Sequence, residues 1–152
     1  MKKLLALDLG ERRIGVAVSD ALGVIATPLE VIHRSSKTAD FRRIADLARE
    51  HQAGALIIGH PLNADGSAGP QAKSVERYAA ALKQALRDEG LELPLLLWDE
   101  HGSSQRAQQA MIAAGRGAQD RRAKIDAAAA AIILQDYLDV QRPPLAPPPP
   151  SQ

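Results

Sequence analysis

The chain contains no cysteine, which excludes a disulfide framework and a thiolate metal site. Aromatic residues are scarce: Phe41, Tyr78, Trp98 and Tyr137 are the full set, so the core must be aliphatic and alanine-rich. Neither sign of charge dominates. With 19 Lys and Arg against 18 Asp and Glu, the formal net charge is +1, so the whole-chain basicity that usually marks a nucleic-acid binder is missing and any such function must rest on local clusters. No apolar run approaches the roughly 18 residues of a membrane span. Met1-Lys2-Lys3 and the short apolar segment after it open like a signal peptide, but Asp8 breaks that segment and no small-residue cleavage site follows. A soluble, cytoplasmic protein that does not engage a membrane is expected.

What remains suffices for one sizeable core: 152 residues, 45% of them hydrophobic. Leu4 to Leu9 and Ile14 to Ser19 read as strands separated by Gly10-Glu11-Arg12-Arg13, with Ile14, Val16 and Val18 alternating against small or polar residues. Thr27 to Ile32 reads as a third strand, and the short links favour an antiparallel meander. Phe41, Ile44, Ala45 and Ala48 then recur at helical spacing, with Ser36 or Thr38 as the cap and Gly54 as the stop. A buried strand, Ala55 to Gly59, leads into a loop from His60 to Gly69. Next comes a helix from Pro70 to Glu89 that carries Val75, Tyr78, Ala79, Leu82 and Leu86 on one face. Pro94 to Trp98 is a fifth strand and Ser103 to Ala114 a helix. Arg116 to Lys124 is a basic connection, and Ile125 to Val140 a final apolar helix.

This order specifies an α/β fold of ribonuclease H-like type. Its central five-stranded mixed sheet has three antiparallel strands, then two parallel ones reached by helical crossovers. The domain is expected over residues 1–140. Residues 141–152 hold six of the ten prolines and should form an extended, unpacked tail.

Ligands of α/β sheets gather at the carboxyl ends of the strands, and acids collect there. Asp8 ends the first strand and Asp99-Glu100 end the fifth. Successive strand residues face opposite sides, so one of that pair turns to the site, and Glu100 is favoured. Asp126 opens the last helix. Three carboxylates brought together repel one another unless a cation neutralises them. Hard oxygen donors select Mg²⁺ or Mn²⁺, and a pair of such ions suits phosphodiester hydrolysis. Each acid also has a plainer reading: Asp8 as a turn former, Asp99 and Glu100 as acids opening the Ser103 helix, and Asp126 as a first-turn acid answering the helix dipole. Arg12 and Arg13 after Asp8, and Arg121, Arg122 and Lys124 before Asp126, suggest a phosphate track. Asn63 and Ser67, in the loop after the fourth strand, are candidate donors to phosphate oxygens. With so few aromatics for base stacking, recognition should rest on backbone and shape.

Four segments in order resemble the YqgF family, of RuvX type, over about Leu4 to Leu138. They are Asp8-Leu9-Gly10 with Arg13-Ile14-Gly15-Val16-Ala17 and Ser19-Asp20; Ile58-Gly59-His60-Pro61-Leu62-Asn63 with Asp65-Gly66-Ser67; Asp99-Glu100 before Ser103-Ser104 and Ala107; and Lys124-Ile125-Asp126 with Ala128-Ala129 and Ile133-Leu134-Gln135. The resemblance implies a fold similar to ribonuclease H and RuvC-type resolvases. It also implies a nuclease processing the 5′ end of precursor 16S ribosomal RNA, or a Holliday junction resolvase, with Asp8, Glu100 and Asp126 as metal-binding catalytic acids. Where the family commonly has Arg-Leu-Ser-Thr after the acid pair, this chain has His101-Gly102-Ser103-Ser104. The expected partner is nucleic acid, either precursor rRNA or branched or single-stranded DNA, met by a monomer or homodimer. Resolving a junction by two symmetric cuts would require the dimer. Two further readings are an ATPase lobe of the actin and sugar-kinase type, which would need a second domain, and a nucleic-acid-binding module whose acids are structural.

Overall fold

The computed structural model describes residues 2–99 and 118–141, with residues 118–124 described by backbone alone. The elements are β1 (Lys3–Leu9), β2 (Arg13–Ser19), β3 (Ala26–His33), α1 (Lys37–Glu50), β4 (Ala53–His60), α2 (Pro70–Asp88), β5 (Leu95–Asp99) and α3 (Ala118–Gln141). Glu100, Arg116, the Ser103 to Ala114 segment and the proline-rich tail lie outside the described residues. The sheet runs β3-β2-β1-β4-β5. β2 lies antiparallel to both β1 and β3, while β4 lies parallel to β1 and β5. The three-plus-two mixed sheet is therefore the one expected from the element order.

Strand alternation sorts the side chains into two cores. Leu5 and Leu7 of β1, Ile14 and Val16 of β2, and Leu56 and Ile58 of β4 face α1 and α2. On that side Phe41 and Tyr78 meet edge to face with ring centroids 5.1 Å apart. Ala6, Ala17 and Ile57 face the other way, onto Ala130, Ile133, Leu134 and Leu138 of α3. The small side chains on this second face let α3 lie close. Its carboxyl half is clamped by Gln135, which accepts from Ala26 N–H at 2.9 Å and donates to Val24 O at 2.9 Å.

Two boundaries differ from those expected. Gly54 does not stop α1: the helix ends at Glu50 with His51 as C-cap, Gln52 takes the left-handed φ of 50°, and Gly54 sits inside β4. α3 starts at Ala118, so the basic connection is helical from there on. After Gly117 the chain offers Ala, Gln, Arg and Lys, all good helix formers, with Asp120 the one weaker residue and no breaker.

Candidate functional site

β1 delivers the first acid. Leu4 and Ala6 pack with α3, so alternation places Asp8 on the α3 side, half-buried at the end of the strand. Asp8 is paired with Gly15 inside the β1–β2 ladder, and the turn beyond it closes by backbone bonds, Gly10 N–H to Arg13 O at 2.9 Å and Arg34 N–H to Arg12 O at 2.8 Å. Gly10 and Arg13 close this hairpin through their backbone groups.

Gly15 brings in the second acid. A Cβ at this position would run into the carbonyl oxygen of Asp126 and stand 3.0 Å from Ala127 N. Only the missing side chain lets the α3 backbone rest on β2. Asp126 is thereby held one strand away from Asp8 on the same face of the sheet. It lies eight residues inside α3 rather than in its first turn, and dipole effects are confined to the first turn, so that plainer reading of Asp126 falls away.

Arg13 precedes Gly15 by two residues and shares its face. Its Nε donates to Asp126 Oδ2 at 2.5 Å, with the two side chains 30% and 24% exposed. This pair, 113 residues apart in sequence, gives Arg13 a neighbour other than the phosphate expected for it. Arg12 is exposed in the β1–β2 turn. Arg121, Arg122 and Lys124 fall in the first turns of α3, ahead of Asp126.

The fifth strand contributes differently. Trp98 packs on the α3 side and Leu95 on the α1–α2 side, so Asp99 shares the face of Leu95 and points away from Asp8 and Asp126. Its ladder partner His60 lies on that same side, with Nε2 3.1 Å from Glu76 Oε2 of α2. Glu100 lies outside the described residues, and among those described no three potential ligands stand together. Asp8 and Asp126 alone supply two carboxylates on one face, a donor set suited to a hard divalent cation.

The loop after β4 is held by its own polar groups. Asn63 N–H donates to Ser67 O at 2.9 Å, Asn63 Nδ2 donates to Ser67 Oγ at 3.0 Å, and Ser67 Oγ donates to Asp65 Oδ1 at 2.6 Å. The hydroxyl and backbone N–H of Ser67 hold the Asp65 carboxyl below its ordinary pKa. Asn63 and Ser67 thus serve loop closure, and both stay exposed.

Sequence reasoning assigned no role to Gly15 or to a cleft of about 530 Å³ between the β1–β2 turn and α2, where Gly10, Arg34 and Tyr78 are among the lining residues. A glycine inside a strand is a signal of close backbone approach, so the first was open to discovery.

The family model for RuvX, described as a Holliday junction resolvase, matches residues 2–140. The chain belongs to the RuvX family. A relative from Thermoanaerobacter pseudethanolicus, named "Putative pre-16S rRNA nuclease", is 40% identical over 141 residues, spanning 92% of this chain and 98% of its own. Among solved structures, T. thermophilus RuvC in complex with a Holliday junction substrate matches with a TM-score of 0.55 at 16% identity, over 93% of this chain and 96% of that one. The Fowlpox virus resolvase, also solved with Holliday junction DNA, gives 0.54 at 10% identity over 91% and 97%. These likenesses establish for this RuvX member the ribonuclease H-like fold. No helix among the described residues is long and apolar enough to cross a membrane.

Proposed function

We propose that this RuvX-family chain is a metal-dependent nuclease that hydrolyses phosphodiester bonds in structured nucleic acid, with the 5′ end of precursor 16S rRNA as its cytoplasmic substrate. The observation that supports the reading is the seating of the Asp126 backbone against Gly15, the ladder partner of Asp8, which brings the two acids to neighbouring strands on one face of the sheet. The name of the relative supports the choice of substrate.

Asp8 and Asp126, with Glu100 as the third acid, would hold Mg²⁺ or Mn²⁺. Bound there, the cation supplies the Lewis acidity that activates water and stabilises the leaving oxygen of a phosphodiester. The chain's own contribution is to hold the ligands still. Arg13 fixes the Asp126 carboxylate and offsets part of the repulsion between the acids. Arg12, exposed in the β1–β2 turn, is a candidate contact for the substrate phosphate. Arg121, Arg122 and Lys124 precede Asp126 in the same helix and are the remaining candidate phosphate contacts.

Junction resolution is favoured by the description of the family model and would require two copies of the chain. Parallel incubation with Mn²⁺ or Mg²⁺ of precursor rRNA, single-stranded DNA and a four-way junction separates the readings. The RNA should be cut fastest. Symmetric cutting of the junction alone would favour the resolvase, and metal-dependent cutting of none of them would overturn the enzyme.

Phosphate contacts carry no sequence information, so Arg121→Ala with Arg122→Ala should weaken binding about equally for unrelated sequences. The salt dependence should flatten by roughly one unit of slope for each phosphate no longer neutralised. Fluorescence anisotropy across a salt series measures both, and an unchanged slope would place these arginines off the substrate path.

A further inference from the structure

The cleft of about 530 Å³ opens on the opposite side of β1 from Asp126, against the amino-terminal half of α2. Its rim begins with Leu9 and Gly10, the two residues that follow Asp8. Leu9 packs toward the α1–α2 core, which fixes the side of the sheet. The volume suits a ligand the size of one nucleotide.

Three features of the lining converge on an anion. Arg34 donates from Nη1 to Gly10 O at 2.7 Å and lies 5.1 Å from the centroid of the Tyr78 ring. The α2 amino terminus forms one wall: Gly69 caps it without a side-chain bond and Pro70 takes the first position, so the Gln71 and Ala72 N–H groups are the helix donors without intrahelical partners. The third feature is independent of these. Tyr78 lines the cleft at 6% exposure, and its buried hydroxyl has no hydrogen-bond partner among the described residues. Burial pushes its pKa up to about 12, so it remains a neutral O–H donor. A buried donor without a partner costs stability. Glu11, also on the rim, is the one acid among the described lining residues.

We propose that this cleft is a phosphate subsite that grips the substrate strand beside the bond cut at Asp8, with Arg34, Tyr78 and the start of α2 as the donors. It rests on the nuclease reading above and adds to it where the strand is held. The strand would cross the end of β1, with one phosphate at the acids on the α3 side and a neighbouring sugar–phosphate unit on the α2 side.

The test compares wild type, Tyr78→Phe, Arg34→Gln and Arg34→Lys by anisotropy with a labelled single-stranded RNA 12-mer in EDTA across a salt series. Melting temperatures and cleavage rates in Mn²⁺ are recorded alongside. Tyr78→Phe removes only an unpartnered hydroxyl and keeps the ring against Phe41, so its melting temperature should hold or rise while affinity falls roughly tenfold at an unchanged salt slope. Arg34→Gln should lose at least as much affinity and about one unit of slope, and Arg34→Lys should restore the slope. Inorganic phosphate should compete with the RNA in wild type and much less in Arg34→Gln. Wild-type affinity in both Tyr78→Phe and Arg34→Gln, with cleavage intact, would overturn the subsite and leave the nuclease standing. Failure of the wild type to bind or cut RNA would overturn both.

Discussion

Asp8→Asn is expected to lower the rate of phosphodiester cleavage by several orders of magnitude while leaving a folded protein. The substitution keeps the size of the side chain and part of its hydrogen-bonding capacity but removes the charge that a hard cation requires. Water activation and leaving-oxygen stabilisation are then lost together. The fold should survive because the hairpin depends on backbone bonds through Gly10, Arg12 and Arg13, and the ladder between Asp8 and Gly15 is indifferent to the side chain. Nucleic-acid binding should persist through the arginines. Cleavage rate, melting temperature and anisotropy, each with and without Mn²⁺, decide the matter. A variant that cuts at the wild-type rate would remove Asp8 from the chemistry, and one that unfolds would return it to a structural role.

Gly15→Ala should damage stability and chemistry at once. The added methyl meets backbone atoms of Asp126 and Ala127, which cannot swing aside as a flexible side chain can. α3 must therefore lift from β2. Overpacking of this kind costs about 3 kcal/mol, or roughly 10 °C in melting temperature for a domain of this size. The same shift carries Asp126 away from Asp8 and strains its pairing with Arg13. A displacement of about 1 Å can cost a hundredfold in rate, so the surviving folded fraction should cut about a hundred times more slowly. Thermal melts and cleavage rates normalised to folded protein measure the two effects. An unchanged melting temperature would mean that α3 does not seat on Gly15.

The sheet and its two faces were legible because local pattern and final burial coincide. In α2, Val75, Tyr78, Ala79, Leu82 and Leu86 recur at helical spacing and are buried. In β2 the alternation of Ile14 and Val16 with Gly15 and Ala17 sorts correctly between the two cores. The sheet-end position of Asp8 was legible for the same reason, since strand direction is written in the order of the elements. Other features depend on contacts that leave no local trace. The start of α3 was hidden because a charged stretch reads as a connection even when most of its residues favour helix. Gly54 was misplaced because glycine both stops helices and sits in strands, and the choice fell to Gln52, which adopts the left-handed turn itself. The pairing of Arg13 with Asp126 joins the two ends of the chain, and no spacing rule reaches that far. Asn63 and Ser67 stay exposed with the right chemistry for phosphate, while the bonds they make within the loop are a contact that no local pattern announces.

Direct titration of the metal tests the central claim most closely, because it asks whether Asp8 and Asp126 act as one donor set before any substrate is chosen. Calorimetric titration of Mn²⁺ into the full chain should show binding by the wild type. Binding should weaken strongly in Asp8→Asn and in Asp126→Asn, at melting temperatures that show both variants folded, and Asp99→Asn should bind as the wild type does. Unaltered Mn²⁺ affinity in folded Asp8→Asn and Asp126→Asn would contradict the account.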